Sequence, residues 1–267
     1  MIRASGCSAL LIAAFALAAA PVGAQAAKVT KYQKMVTEGS PAELYELVGE
    51  DLWKKKKGPK NASLEKCDFG KGPGVLKGAY ATLPRYFKDS NRVEDTESRI
   101  LHCMMTLQGR SRKEALKRPF GNANKPSEME YLTAYVAGQS RGYKMAPGMS
   151  HPKEKRAYEL GEKLFFARTG LYDFSCASCH GEEGKRIRAS QLPVLSKPKV
   201  AGPVMATWPA YRVSKSHLYT MQWRIANCYR QMRTPSPIWG SEVVNAMNMY
   251  MTVTGKGATY SGPGTKR

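Results

Sequence analysis

The sequence predicts a mainly α-helical protein built from two similar domains. Residues 45–53 and 158–165 resemble each other, and both place apolar residues at the spacing of an amphipathic helix. Further along the chain, residues 99–103 and 224–228 share the pattern Arg-Ile-x-x-Cys. A chain of 267 residues is long enough for two domains of about 100 to 150 residues each. We therefore expect the two halves of the chain to fold alike.

A third match supports an internal duplication. A Ser-Glu pair at residues 127–128 precedes a predicted helix that contains Tyr135, and another pair at residues 241–242 precedes one that contains Tyr250. Three matches in the same order along the chain indicate duplication rather than chance. The predicted domains are residues 27–150 and residues 151–267.

A C-x-x-C-H motif at residues 176–180 marks the second domain. Cys176 and Cys179 have the spacing that attaches the vinyl groups of a haem, and His180 then reaches the iron. The competing interpretation, a redox-active dithiol, requires a thioredoxin-like βαβ context that the sequence lacks. The motif therefore predicts one covalently bound haem c in a cytochrome c-like domain.

The first domain has lost the corresponding motif. In an ungapped alignment of the two halves, Leu64 stands in place of a thioether cysteine and Asp68 in place of the iron-ligating histidine. We therefore predict that only the second of two cytochrome c-like domains carries haem. The surviving Cys67 and Cys103 would both have faced the lost haem, so we expect them to form a disulfide. Two separate buried thiols are the alternative.

The first residues of the chain predict export. An arginine near the amino terminus is followed by an apolar run at residues 10–20 and by Ala-Gln-Ala at residues 24–26. This pattern is typical of a cleaved secretory signal peptide, here residues 1–26. The apolar run is too short for a membrane anchor, since about 20 apolar residues are needed to span a bilayer. We expect a periplasmic protein without a membrane span.

Cysteine parity bears on the sixth ligand of the haem iron. Removal of the signal peptide takes Cys7 from the six cysteines and leaves five, of which the thioethers and the predicted disulfide use four. Cys228 remains, and a thiol in an oxidising compartment is usually protected, ligated or used. Ligation of iron would explain Cys228, although most small c-type cytochromes use methionine. The alternative ligands are Met205, Met221, Met232, Met247, His151 and His217.

Arg224 and Cys228 are the candidate catalytic pair. They are four residues apart, so on a helix they share one face. A guanidinium beside the sulfur would favour the thiolate and would offer a planar fork to a tetrahedral oxyanion. Alternatively, Arg224 pairs with a haem propionate or with an acidic residue.

The chain is strongly basic. Lys and Arg number 42 against 21 Asp and Glu, which gives a net charge of +21 and an isoelectric point near 9.8. Such a field attracts small anions and acidic partner proteins. Nucleic acid is a poor candidate partner, because an exported protein meets little of it and no nucleic-acid-binding module is visible.

The C-x-x-C-H motif and the segment Arg-Ile-Ala-Asn-Cys-Tyr-Arg-Gln-Met-Arg that begins at Arg224 resemble the SoxA family. This family supplies a subunit of the SoxAX cytochromes of bacterial thiosulfate oxidation, and the resemblance extends over nearly the whole mature chain. It implies that Cys176 and Cys179 carry the haem and that His180 and Cys228 ligate the iron. It also implies that Arg224 binds substrate and that Cys228 is a catalytic cysteine persulfide.

The resemblance implies an activity and partners as well. Family members are L-cysteine S-thiosulfotransferases, which conjugate thiosulfate oxidatively to a cysteine of the SoxY subunit of SoxYZ while electrons leave through haem. The haem protein SoxX is the expected partner in a heterodimer, and a cytochrome c is the expected electron acceptor. The single attachment motif places the chain among the members with one haem. The alternatives are a thiosulfate dehydrogenase that forms tetrathionate and a plain electron-transfer cytochrome c.

Overall fold

The computed structural model describes residues 39–187 and 190–266. The predicted signal peptide, residues 1–26, lies outside the described residues. Helices form most of the regular structure in the described part, together with small β-sheets of two or three strands. The prediction of a mainly α-helical fold is confirmed. No helix among the described residues combines the length and the apolar character that crossing a membrane requires.

The first half is mostly helical. Its elements, in order, are α1 (Pro41–Lys54), a 3₁₀ helix (Tyr80–Thr82), β1 (Arg85–Phe87), β2 (Arg92–Glu94), α2 (Thr96–Thr106), α3 (Arg112–Ala115) and α4 (Glu128–Gly138). Strands β1 and β2 form an antiparallel hairpin in which Tyr86 pairs with Val93. Helix α1 packs along α4.

The second half has a similar order of helices and two small sheets. Its elements are α5 (Pro152–Phe166), α6 (Cys176–His180), β3 (Arg186–Ile187), β4 (Ser190–Gln191), α7 (Pro198–Met205), β5 (Ala210–Arg212), a 3₁₀ helix (Val213–Lys215), β6 (His217–Tyr219), α8 (Met221–Gln231), α9 (Glu242–Thr254) and β7 (Gly264–Lys266). Strand β5 is the centre of a three-stranded sheet, with β6 antiparallel on one side and β7 parallel on the other. Helix α5 packs along α9.

The Ser-Glu pairs of the sequence mark the start of α4 and of α9. The Ser127 hydroxyl accepts a hydrogen bond from Glu130 N at 3.2 Å, and the Ser241 hydroxyl accepts one from Val244 N at 3.5 Å. A serine at this position satisfies an amide that the first helical turn leaves without a partner. The local sequence thus sets where both helices begin.

The two helix pairs cross at a glycine in the same way. A Cβ atom added to Gly49 on α1 would overlap a backbone oxygen of α4 and lie 2.7 Å from the Cβ atom of Tyr135. A Cβ atom added to Gly161 on α5 would overlap a backbone oxygen of α9 and lie 2.8 Å from the Cβ atom of Tyr250. Glycine is therefore required at both crossings, because any side chain would push the helices apart.

Two clusters of buried apolar side chains form the cores of the two halves. The first includes Trp53, Phe69 and Leu132 and surrounds the disulfide described below. The second includes Phe165 and Tyr250 and lies between α5, α8 and α9. Each core is built from residues of its own half, with few exceptions such as Trp239 in the first cluster.

The disulfide predicted from the sequence is present in the first half. It joins Cys67 to Cys103 over a sequence separation of 36 residues, and both cysteines are buried, at 1% and 3% exposed. Leu64 is fully buried in the same cluster. The Asp68 carboxylate closes a tight turn, because its Oδ1 atom accepts hydrogen bonds from Gly70 N at 2.6 Å and from the amide of residue 72 at 3.0 Å. Leu64, Cys67 and Asp68 thus have structural roles in the first half.

Buried polar side chains join the two halves. His217 on β6 lies with its Nε2 atom 2.9 Å from Glu130 Oε1 on α4, and with its Nδ1 atom 3.1 Å from Tyr45 Oη on α1. Buried polar atoms without partners are costly, so this contact fixes the sheet of the second half against the helices of the first.

Candidate haem and thiol site

The C-x-x-C-H motif forms the one-turn helix α6. Ser175 caps this turn: its hydroxyl accepts a hydrogen bond from Ser178 N at 3.1 Å, and the Ser178 hydroxyl accepts one from Ser175 N at 3.0 Å. Helical geometry places Cys176 and Cys179, three residues apart, on the same side of the turn. Helix α6 packs against α5, and Cys176 contacts the second hydrophobic cluster. The cysteine pair therefore lies at the edge of an apolar region.

His180 ends α6 and is oriented by a backbone carbonyl. Its Nδ1 atom lies 2.8 Å from the carbonyl oxygen of Pro193. Because a carbonyl only accepts, Nδ1 carries the proton and Nε2 has a free lone pair. Burial lowers the pKa of His180, and the positive charge of Arg224 lowers it as well. A neutral imidazole with a free Nε2 is the form that ligates a metal.

Cys228 lies on α8 within electrostatic reach of Cys176 and Cys179. Burial raises the pKa of Cys228, although the positive charge of Arg224 opposes the rise. Arg224 thus acts in the expected direction, towards the thiolate, but desolvation outweighs its charge and leaves the pKa of Cys228 raised. Burial also raises the pKa of Cys176, to about 12. A thiolate at Cys228 needs a further cation, and a bound metal deprotonates a ligating thiol.

Arg224 acts electrostatically on both candidate iron ligands. Its positive charge lowers the pKa of His180 and opposes the raised pKa of Cys228. Its guanidinium forms no hydrogen bond or ion pair with the residues that the structure describes. Pairing with an acidic residue, one of the two roles left open by the sequence, is thus not observed within residues 39–187 and 190–266. The guanidinium remains available for an anion.

The corresponding arginine of the first half is neutralised. Arg99 is 3% exposed, and its Nη2 atom lies 2.7 Å from Asp89 Oδ2 while its Nη1 atom lies 3.3 Å from Glu94 Oε2. Its Nε atom lies 2.5 Å from the carbonyl oxygen of Asp68. Two carboxylates and a carbonyl fully engage this guanidinium. The same sequence pattern therefore holds a structural arginine in the first half and an unpaired one in the second.

The two histidine alternatives for the sixth iron position are engaged elsewhere. Both ring nitrogens of His217 are used in the buried contact between the halves. His151 caps α5, accepting a hydrogen bond from Lys153 N at 3.1 Å, and its ring stacks on Tyr86 with 3.7 Å between centroids. The contacts thus favour Cys228 over either histidine. The methionine alternatives are buried in the second hydrophobic cluster: Met205, Met221, Met232 and Met247.

The donor set fits a covalently bound haem. Cys176 and Cys179 lie on one side of a helical turn, His180 has an oriented imidazole, and an apolar cluster packs beside them. These are the groups that attach the porphyrin, ligate its iron and shield it from water. Sequence reasoning missed the Pro193 carbonyl, because no pattern marks a hydrogen-bond acceptor 13 residues further along the chain.

Known proteins of similar sequence establish the family. The L-cysteine S-thiosulfotransferase subunit SoxA of Hydrogenophilus thermoluteolus is 48% identical over 239 residues, which cover 90% of this chain and 87% of the relative. The chain belongs to the SoxA family. A SoxA subunit of Hydrogenobacter thermophilus is 38% identical, over 85% of this SoxA-family chain and 82% of the relative.

The fold of this SoxA-family chain is also similar to that of known cytochromes. The family model described as the SoxA/TsdA cytochrome c domain matches residues 48–145. The crystal structure of SoxXA from P. pantotrophus superposes with a TM-score of 0.69 at 24% sequence identity, covering 85% of this chain and 79% of that chain. The matched residues lie in the half that lacks a C-x-x-C-H motif, so a cytochrome c-like domain is present there without the attachment sequence.

Proposed function

We propose that this chain is the SoxA subunit of an L-cysteine S-thiosulfotransferase, which joins thiosulfate to a cysteine of a carrier protein. Relatives up to 48% identical bear this activity in their names. The observation that carries the proposal is the placement of Arg224 and Cys228 four residues apart on one helix, where the charge of Arg224 acts on the partly buried thiol and its guanidinium has no partner among the described residues. A cation beside a nucleophilic sulfur is suited to holding a sulfur oxyanion for reaction.

The reaction forms one sulfur–sulfur bond in two steps. The Cys228 thiolate joins the terminal sulfur of thiosulfate, giving a Cys–S–S–SO₃⁻ adduct, and two electrons leave. The carrier thiolate then attacks the terminal thiosulfate sulfur of that adduct, which forms the conjugate on the carrier and releases the Cys228 thiolate. Over both steps, one carrier thiolate and one thiosulfate dianion become a singly charged conjugate plus two electrons. Arg224 binds the oxyanion end of thiosulfate in both steps. If Cys228 carried a persulfide at rest, its reactive sulfur would lie one bond further from the helix.

The proposed cofactor is one haem c. Cys176 and Cys179 would form the thioethers, and His180 and Cys228 would ligate the iron. When bound, the haem supplies one-electron redox chemistry and hence an exit for the electrons. The Pro193 carbonyl accepts the hydrogen bond of the His180 Nδ1 proton. The Nε2 atom is thereby directed away from this carbonyl, and its lone pair is left for the iron.

We further propose that the two halves, residues 27–150 and 151–267, descend from one duplicated cytochrome domain and that the first has lost its haem. The matched crossings at Gly49 and Gly161 support the duplication. Two features support the loss: Leu64 has no thiol and is buried in the core, and the sulfur of Cys67 is used in the disulfide.

The proposed assembly follows from the family. SoxX is the heterodimer partner, SoxYZ is the carrier, thiosulfate is the substrate, and a cytochrome c accepts the electrons. The signal peptide predicted from the sequence at residues 1–26 supports a periplasmic location for the assembly. The net charge of +21 supports an anionic substrate and an acidic carrier surface.

A reconstituted assay tests the proposed function. The holoprotein, its haem partner, thiosulfate, the carrier and an electron acceptor are mixed, and the carrier is weighed by mass spectrometry. We expect a carrier mass increase of one thiosulfate unit. An unmodified carrier with free tetrathionate in solution would identify a thiosulfate dehydrogenase, and an unmodified carrier without tetrathionate would identify a plain electron carrier.

Matched variants locate the chemistry. Cys228→Ser should abolish conjugation, and Arg224→Gln should lower kcat/KM for thiosulfate by about 100-fold, as loss of one oxyanion donor does in other enzymes. Arg230→Gln is the control, because Arg230 is exposed and lies on the same helix. Its activity should stay close to that of the wild type. Electron paramagnetic resonance of the oxidised protein should show low-spin thiolate character that Cys228→Ala removes.

A further inference from the structure

Two more cations lie beside Arg224, in the three-stranded sheet of the second half. Arg212 is the last residue of β5, and its direct partner in the parallel register with β7 is Lys266. Register partners on neighbouring strands point their side chains to the same face of the sheet. Like charges placed opposite each other in this way are destabilising. The sheet therefore presents an unfavourable pair of cations on one face.

Arg224 completes a group of three. Burial lowers the pKa of Arg212, and the charge of Arg224 lowers it further. Burial also lowers the pKa of Lys266, and the charges of Arg212 and Arg224 contribute. The strand register brings Arg212 and Lys266 together, and the charge of Arg224 acts on both, so we treat the two sheet residues and the helix residue as one cationic cluster. We call Arg212, Arg224 and Lys266 the cation triad.

No carboxylate neutralises the cation triad within the part of the chain that the structure describes. None of its three side chains forms an ion pair or donates a hydrogen bond there. The Lys266 ammonium lies 5.6 Å from the centroid of the Trp208 ring, a contact that attracts a cation without cancelling its charge. All three residues are half-buried. Partly desolvated, mutually repelling charges are costly, and such local conflicts are typical of functional sites.

We propose that the cation triad binds the sulfonate end of thiosulfate, with Arg212 and Lys266 as substrate-binding residues in addition to Arg224, so that the terminal sulfur of the substrate faces Cys228. The identity of the anion rests on the proposed function. A sulfonate has three oxygens that accept hydrogen bonds, and two guanidinium groups and one ammonium supply charged donors for them. A compact dianion is thereby preferred over a neutral thiol or a monoanion.

The experiment uses the full-length holoprotein in three variants. Arg212→Gln and Lys266→Gln each remove one charge of the cation triad. Lys215→Gln is the matched control, because Lys215 is exposed in the 3₁₀ helix between β5 and β6 and its loss changes the net charge equally. Thiosulfate is titrated calorimetrically into each protein without carrier.

We expect each triad variant to bind thiosulfate about tenfold more weakly than the wild type, which is the usual consequence of losing one charge-assisted hydrogen bond. The affinity of the Lys215→Gln control for thiosulfate should stay within about twofold of the wild-type affinity, because a solvent-exposed charge contributes little. In the reconstituted assay, the KM for thiosulfate should rise about tenfold in the triad variants while kcat changes by less than about threefold. Lys266→Arg, which keeps the charge, should retain most of the affinity.

Wild-type affinity for thiosulfate in both triad variants would overturn the proposal. Unchanged affinity together with lower haem incorporation or a shifted haem absorption spectrum would assign these residues to the haem propionates, which also overturns it. An equal loss of affinity in Lys266→Arg and Lys266→Gln would count against a charge-based site. Failure of the proposed function would give a different result. If the wild type binds thiosulfate through the cation triad but leaves the carrier unmodified, the binding site is supported and the transferase activity is contradicted.

Discussion

The side-chain amide of Gln222 donates to the carboxylate of Asp95, with its nitrogen 2.7 Å from Oδ1 and 2.9 Å from Oδ2. Gln222 lies on α8, two residues before Arg224, whereas Asp95 caps α2 in the first half by accepting a hydrogen bond from Ser98 N at 2.9 Å. The two residues are 0% and 2% exposed. The half without a haem motif thus holds the helix that carries the candidate catalytic pair.

Loss of this contact should destabilise the protein. Gln222→Ala removes donors from a buried carboxylate and leaves Gly240 N, which donates to Gln222 Oε1 at 2.9 Å, without its partner. We expect the free energy of unfolding to fall by about 2 to 4 kcal/mol, since more than one buried polar group loses its partner. Denaturant titration of the holoprotein measures the change. Gln191→Ala, at an exposed position, is the control, and an equal loss of stability in both variants would contradict a specific role for Gln222.

The two equivalent arginines should respond oppositely to the same substitution. Arg99→Gln leaves the buried Glu94 carboxylate with less compensation and should lower the free energy of unfolding by about 3 kcal/mol. Arg224→Gln removes an unpaired guanidinium and should leave stability nearly unchanged while it weakens thiosulfate conjugation. Thermal unfolding and the reconstituted assay, run on both variants, separate the two effects. Comparable destabilisation by Arg224→Gln would show that Arg224 has a structural partner.

The disulfide should contribute to stability without affecting haem attachment. Replacing Cys67 and Cys103 by alanine together frees a loop of 36 residues in the unfolded chain. The chain-entropy relation predicts a loss of about 3 to 4 kcal/mol. Denaturant titration measures this loss, and the haem absorption per protein should stay the same because the motif lies in the other half. Two alkylatable thiols at these positions in the untreated mature protein would contradict the bridge.

Stability should depend on pH through Glu97. Burial raises the pKa of this carboxyl well above its ordinary value, and the negative charge of Asp95 raises it further. The folded state therefore binds a proton that the unfolded state has released. The contribution of Glu97 to the free energy of unfolding is fully present below the ordinary glutamate pKa of about 4.3. It is lost as the pH rises towards the pKa of Glu97 in the folded protein.

The Glu97→Gln variant makes this dependence measurable. Relative to the variant, the wild type should lose stability as the pH rises above about 4.3, until the pH has passed the raised pKa of Glu97 in the folded state. Denaturant titrations at several pH values give the difference between the two proteins. Glu242→Gln, at an exposed position, is the control and should differ little from the wild type at any pH. A difference for Glu97→Gln that does not change with pH would argue that this carboxyl is charged in the folded state.

Local sequence was sufficient for the helices, the one-turn motif and the disulfide. Apolar spacing placed the helices of residues 45–53 and 158–165, and the C-x-x-C-H motif is contiguous in the chain. The pairing of Cys67 with Cys103 followed from comparing the halves, since the same positions recur in the second one. Patterns of this kind depend on neighbouring residues or on an internal repeat, and both are visible in a single sequence.

Contacts between distant residues were not predictable in this way. The register that pairs Arg212 with Lys266 joins a strand in the middle of the second half to the strand at its end. No local pattern places Gln222 against Asp95, because that contact depends on how the halves pack. The desolvation of Cys228 belongs to the same class: the sequence shows the nearby Arg224, but the burial that raises the pKa of Cys228 depends on the folded surroundings.

The disulfide of the first half also constrains how the protein is made. Cys67 and Cys103 must be oxidised to each other, whereas the proposed thioethers require Cys176 and Cys179 to be thiols when haem is attached. Biogenesis therefore needs an oxidant and a reductant acting on one polypeptide, with the two sets of thiols kept apart. Because Cys67 and Cys103 are only 1% and 3% exposed, folding of the first half shields their bridge from that reductant.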